Sequence, residues 1–127
     1  MLTNFDLFAT CLALAGVEPP QDGVIDGRDI MPLLVDGALS PHETLLFYDT
    51  RKLVALRHGK LKYYRRNTTD NAGYWPLKHG PFLFDISRDP NESYSLIESE
   101  PAIAAEMEEM LQDRETEMQG NLRGWLE

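Results

Sequence analysis

One stretch near the start, Phe5 to Leu14, constrains this chain more than any other. Phe5, Leu7, Phe8, Cys11, Leu12 and Leu14 stand among alanines and leave little polar face. The pattern predicts a helix from Thr3 to Gly16. Thr3 or Asn4 can cap its start, Asp6 suits its first turn, and Gly16 is a natural stop. A helix apolar all round expects burial on every side. Burying a large aliphatic or Phe side chain is worth about 1.5–3 kcal/mol, so exposing roughly four of them forgoes on the order of 6–12 kcal/mol. That is comparable with the net stability of a domain. The helix Phe5–Leu14 is therefore expected to find a cover, in another domain or in a homo-oligomer formed through it.

The rest of the chain sets the frame for that helix. With 127 residues there is room for one ordinary domain with its own core. The formal charge of −9 argues against a nucleic-acid partner, whose phosphates call for clustered Lys and Arg. One local exception, Arg57, His58, Lys60, Lys62, Arg65 and Arg66, reads as the solvated face of a strand, with an anion-facing loop as the alternative. No run approaches the roughly 20 apolar residues of a membrane span, and no basic-then-apolar export signal is visible. A single cysteine leaves the redox compartment, and with it the localisation, unknown.

Proline and glycine then divide the sequence. Val17 to Asp26 holds Pro19, Pro20 and Gly23 and should be irregular; Asp29 to Val35 suits a short helix with Pro32 in its first turn. Thr44–Tyr48, Leu53–Arg57, Leu61–Tyr64 and Phe82–Ile86 are short β-rich runs, the middle two joined by a hairpin-like His58-Gly59. Asp89-Pro90-Asn91-Glu92 reads as a type I turn. Pro101 opens a last helix whose apolar stripe is Ile103, Met107, Met110, Leu111 and Met118. The expectation is an α+β fold: an N-terminal apolar helix, a small four-stranded antiparallel sheet and a C-terminal helix packed on the sheet.

Most of the chemistry a chain could carry fails on its residues. Cys11 sits between apolar neighbours and reads as a small buried hydrophobe, not as the electropositive thiol of a nucleophile. His42, His58 and His79 are too far apart in sequence for a close-spaced metal site. Asp22, Asp26 and Asp29 place apolar Val24 and Leu33 where a calcium loop needs oxygen ligands. No Gly-rich phosphate loop is present. The loop from Arg65 to Pro81 remains, with Tyr74, Trp75, Lys78 and His79 close together. Aromatic faces with a few polar tips suit sugar or aryl ligands, and the competing reading is a surface loop whose rings cover the core.

Four segments, in order, resemble the C-terminal portion of the sulfatase family, in the alkaline-phosphatase-like superfamily. Asp6-Leu7-Phe8-Ala9-Thr10 with Leu12-Ala13-Leu14-Ala15-Gly16 resembles the family's Asp-x-x-Pro-Thr helix ending in Leu-Ala-Gly, Ala9 replacing the proline. Asp26-Gly27-Arg28-Asp29-Ile30-Met31-Pro32-Leu33-Leu34 is similar to its Asp-Gly-x-Ser segment. Val54 to Lys62 is similar to its Ala-Val-Arg-x-Gly-x-x-Lys strand pair. Phe82 to Glu92 is similar to its Leu-Tyr-Asp-Leu-x-x-Asp-Pro-x-Glu run, with Ser95-Leu96 where Asn-Leu is common. The long polar loop before Phe82 looks most like the arylsulfatase A branch.

The resemblance implies residues 1–37 as the tail end of a sulfatase large domain and 38–127 as the C-terminal antiparallel-sheet subdomain with its final helix. It implies a parent that hydrolyses sulfate monoesters with a formylglycine, made from a Cys/Ser-x-Pro-x-Arg motif, and a bound calcium. Cys11 is followed by Leu12-Ala13-Leu14-Ala15, without the proline and arginine, so no catalytic residue and no metal ligand carries over to this chain. Its partner would be the missing N-terminal domain, and Tyr74 to His79 would lie near the substrate's non-sulfate part. Two alternatives stand beside this: a stand-alone interaction module derived from such a domain, and part of a related phosphonate or phosphate ester hydrolase.

Overall fold

The computed structural model describes residues 1–49, 52–65 and 80–120. They fall into two units, Met1–Glu43 and Thr44–Gly120.

In the first unit, α1 (Asp6–Ala15) forms where the apolar run predicts it. Its start differs from expectation, since neither Thr3 nor Asn4 caps it with a side chain. Asp6 instead reaches back, its Oδ2 accepting the Thr3 N–H and hydroxyl at 2.8 Å each. Gly16 ends the helix at φ 66°, a left-handed conformation that glycine takes without steric cost. Its N–H and that of Val17 then donate to Ala13 and Leu12, which satisfies two orphan carbonyls. A six-residue helix, α2 (Met31–Asp36), follows with Pro32 in its first turn.

What α1 buries is its polar stripe, Asp6 and Thr10. Leu7, Phe8 and Leu14 are 59%, 53% and 66% exposed. Cys11, expected to be buried, is exposed as well. It stands about a third of a turn from the Asp6–Thr10 stripe, on the flank it shares with Leu7 and Leu14.

The second unit is a meander of β1 (Thr44–Asp49), β2 (Lys52–His58), β3 (Leu61–Tyr64) and β4 (Phe82–Asp85), each antiparallel to the next. α3 (Pro101–Gln119) packs on the sheet. The β2–β3 turn is Gly59-Lys60, one residue later than read from sequence, because His58 pairs with Leu61. Gly59 takes φ 55° there. Opposite Phe47 and Tyr48 the register skips Val54, a bulge in β2. Strict alternation would send Leu53 and Leu56 to opposite faces, and the extra residue returns both to the α3 side. There they join Tyr63 and Leu83 against Ala104, Met107 and Leu111. The other face gathers Val54, Ala55, Tyr64 and Phe84.

The free edge of β4 is partly occupied. Leu96 N–H donates to the Leu83 carbonyl at 2.7 Å, and Leu83 N–H donates to Ser95 Oγ at 3.3 Å. β4 ends at Asp85, one residue short of expectation, where the carboxylate accepts the Ser87 hydroxyl and N–H and turns the chain.

Candidate functional site

The first unit is organised around one carboxylate. Asp6 is fully buried, and its oxygens accept from Thr3 and from two distant segments. Arg28 N–H lies 2.9 Å from Oδ1, and His42 Nε2 lies 2.5 Å from the same oxygen. One turn on, Thr10 Oγ1 donates to the Asp6 carbonyl at 2.7 Å and accepts from the Ile30 N–H at 3.2 Å. Burial opposes ionisation of Asp6. The Arg28 N–H, the His42 ring and the two Thr3 donors outweigh it and hold the carboxyl at about 2. Residues 26–30 can approach α1 this closely only because residue 27 is glycine. A β-carbon there would overlap the Phe5 carbonyl oxygen and come within 3.3 Å of Asp6 Cα.

A buried Asp–His pair invites comparison with a catalytic relay, which needs a nucleophile on the second ring nitrogen. The nearby hydroxyls are committed elsewhere: Thr3 to Asp6 Oδ2, Thr10 to the Asp6 carbonyl, Ser40 to the Met1 carbonyl. The Phe5 ring meets the imidazole edge-on at 5.8 Å. The pair is a latch that fastens the chain before β1 to the first turn of α1.

In the second unit three residues of the basic stripe, Lys60, Lys62 and Arg65, pair with carboxylates, and for Lys62 and Arg65 this corrects the reading as a solvated face. Lys62 Nζ is 2.6 Å from Glu92 Oε1, with its side chain only 15% exposed, and sits 4.7 and 4.8 Å from the Phe47 and Tyr64 ring centres. Glu92 comes to Lys62 from the turn that follows Asp89. Asp89 Oδ2 accepts the Ser93 and Tyr94 N–H groups at 2.7 Å each, and Glu92 itself adopts φ 55°. Arg65 donates through Nε and Nη2 to Glu108 and through Nη1 to Glu115, joining the end of β3 to α3. Lys60 pairs with Asp85 at 3.3 Å. The Ser87 hydroxyl is the main cause, helped by Lys60 and opposed by burial, that keeps the Asp85 carboxyl below the usual range. Burial first, and the Glu108 charge second, push the Tyr63 phenol up to about 12.

The sequence-based site residues Tyr74, Trp75, Lys78 and His79 lie outside the described residues. Of the histidines dismissed for their spacing, His42 is a working member of the Asp6 node, and His58 Nδ1 shares a hydrogen bond with Thr44 at 2.9 Å. The signal for Asp6 and Thr10 was present: two polar residues at i and i+4 in an otherwise apolar helix. Nothing local pointed to His42, 36 residues away. Among the described residues no cluster of three His, Cys, Asp or Glu side chains could hold a metal ion. No described helix is long and apolar enough to cross a membrane.

Comparison with known proteins places these features in context. No family model matches the chain. Arylsulfatase A of Bos taurus is 36% identical over 123 residues, covering 84% of this chain and 24% of its own length. Steryl-sulfatase of Rattus norvegicus is 37% identical, covering 78% of this chain and 21% of its own. A solved protein described with the metabolism of multiple glycosaminoglycans by Bacteroides thetaiotaomicron superposes with a TM-score of 0.69 at 25% identity, over 87% of this chain and 24% of that one. The chain thus spans about a quarter of the length of the relatives it matches.

Proposed function

This chain belongs to the sulfatase family, as its C-terminal portion, and from that premise we propose that it completes an enzyme hydrolysing sulfate monoesters while carrying none of the reacting groups. One observation supports this reading above the others. Residues that resemble family motifs take part in holding each unit together: Asp6, Thr10 and Gly27 in the first, Lys62, Asp85, Asp89 and Glu92 in the second. Motif residues spent on internal clamps leave a scaffold, with the chemistry placed on the polypeptide that the relatives have in addition.

In this reading residues 1–37 are the tail end of the large domain, with α1 as an apolar helix packed within it, and 38–127 are the sheet subdomain. The formylglycine and calcium of the parent do not fit the residues present. Cys11 lacks the proline and arginine of the modified motif, and the described carboxylates and histidines are not gathered into a metal set. No step of the hydrolysis is assigned to this chain.

The contribution to substrate choice falls to the loop with Tyr74, Trp75, Lys78 and His79, whose rings and cation suit the non-sulfate part of an aryl or sugar ester. The test is a panel of sulfate esters given to the full-length enzyme and to its Trp75→Ala and His79→Ala forms. Relative kcat/KM across the panel should change by roughly tenfold for at least one ester pair. Unchanged relative rates would remove the specificity role.

A further inference from the structure

Three Asp-Gly pairs stand in the sequence, Asp22-Gly23, Asp26-Gly27 and Asp36-Gly37, all within the first unit. Such a pair carries its own chemistry. Glycine has no β-carbon to shield its nitrogen, so the Gly N–H can attack Cγ of the aspartic acid before it. The N–Cγ bond forms, the carboxyl OH leaves with the amide proton as water, and a five-membered succinimide closes. Water then opens the ring. Attack at Cγ restores aspartate, whereas attack at the main-chain carbonyl carbon leaves isoaspartate, whose backbone runs through Cβ and Cγ. The sum is an isomerisation, and it needs no other reactant.

Ring closure requires the glycine nitrogen to swing onto the aspartate side chain, and the fold permits that unequally. Gly27 is wedged: a β-carbon there would overlap the Phe5 carbonyl oxygen, and the next N–H, of Arg28, is held by Asp6 Oδ1 at 2.9 Å. Asp36 is the last residue of α2, Gly37 caps it at φ 68°, and the Ala38 N–H reaches back to the Pro32 carbonyl at 3.2 Å. The Asp36–Gly37 peptide is thereby fixed from both sides. Asp22 and Gly23 differ. Both are exposed, in a bend of the irregular run after α1, with nothing within 4 Å of where a β-carbon on Gly23 would stand. Among the described residues neither the Asp22 carboxylate nor the Gly23 N–H has a hydrogen-bond partner.

We propose that Asp22-Gly23 is a self-modifying site, which converts to isoaspartate in the folded protein while Asp26-Gly27 and Asp36-Gly37 stay intact. The inference goes beyond the sulfatase reading and does not depend on it. Its effect is confined by anchors on both sides. Upstream, the Gly16 and Val17 N–H groups close α1 onto Ala13 and Leu12; downstream, the Arg28 and Ile30 N–H groups are held by Asp6 and Thr10. The added backbone methylene therefore falls in an exposed segment between them, and the product presents a free α-carboxylate. That group is the substrate class of an S-adenosylmethionine-dependent carboxyl methyltransferase, which passes the sulfonium methyl to a carboxylate oxygen.

The test is ageing of the full-length protein at neutral pH, with isoaspartate located by digestion and electron-transfer fragmentation. Position 22 should convert roughly tenfold faster than positions 26 and 36, which must open locally before they react. In denaturant the three should convert at similar rates, since the fold no longer distinguishes them. Gly23→Ala, whose methyl crowds the attacking nitrogen, should slow position 22 several-fold and leave the α1 amides protected as before. Aged wild-type protein should accept labelled methyl from S-adenosylmethionine and a carboxyl methyltransferase, and aged Gly23→Ala much less. A position 22 that converts in denaturant but stays aspartate in the folded protein overturns the proposal. So does equal conversion of all three pairs in the folded protein, an unchanged rate in Gly23→Ala, or no methyl transfer to the aged wild type.

Discussion

The Nε2 of His42 and the Oδ1 of Asp6 lie 2.5 Å apart, with side chains 9% and 0% exposed. The contact joins residues that the chain separates by the rest of α1, an irregular segment and α2, and it makes a carboxylate the centre of a unit that has little apolar core. A buried charge of this kind is stable only while its donors are in place.

Asp6 therefore governs the acid limit of the first unit. Its folded value of about 2 lies below the ordinary 3.8. The stabilisation it supplies is thus fully present above about pH 4 and is lost as pH falls through about 2. Asp6→Ala should cost the unit on the order of 2–4 kcal/mol at neutral pH, by removing the acceptor of several hydrogen bonds. Hydrogen exchange of the α1 amides between pH 2 and 5 checks both points: the wild type should lose protection on acidification, and the variant should start low and show no such step.

Gly27→Ala tests the close approach. Its β-carbon would meet the backbone of Phe5, which has no rotamer to move away, so a loss of about 1–3 kcal/mol is expected in the same α1 exchange experiment. Gly23→Ala, with nothing within 4 Å of the added carbon, should leave exchange unchanged.

Arg65 joins β3 to α3 through a fork that lysine cannot reproduce. Because the side chain is about a quarter exposed, Arg65→Lys should cost only about 1 kcal/mol in urea unfolding of the sheet unit. The adjacent phenol gives a spectroscopic check. Tyr63 should titrate near 12, and Glu108→Gln, which removes the negative charge beside it, should lower that value while burial still holds it above an exposed tyrosine.

The two units should respond oppositely to truncation of leucine. Leu83, fully buried between sheet and α3, should lose about 2–5 kcal/mol on change to Ala. Leu7→Ala in the isolated chain should stay within about 0.5 kcal/mol, since its side chain is exposed there. Thermal unfolding of both variants measures the contrast.

The strands and α3 were legible because their information is local: β-branched and aromatic runs between turn residues, and Met107 and Leu111 at helical spacing. The bulge at Val54 was not, because one skipped pairing leaves no mark in composition. Met118, placed in the apolar stripe, instead accepts the Tyr48 hydroxyl at its sulfur, 3.0 Å away. The burial of α1 was misjudged at Cys11, since hydrophobicity says what a side chain prefers and not whether a partner for it belongs to the same chain. Likewise the clamps Asp6–His42 and Lys62–Glu92 span 36 and 30 residues, and only the fold brings their ends together.

The most direct measurement compares aryl sulfate turnover by the purified 127-residue chain with turnover by the same sequence within its full-length protein. No hydrolysis above the uncatalysed rate by the chain, and clear hydrolysis by the full-length protein, is the predicted result. Turnover by the isolated chain, or a full-length protein inert toward every sulfate ester, would contradict the account.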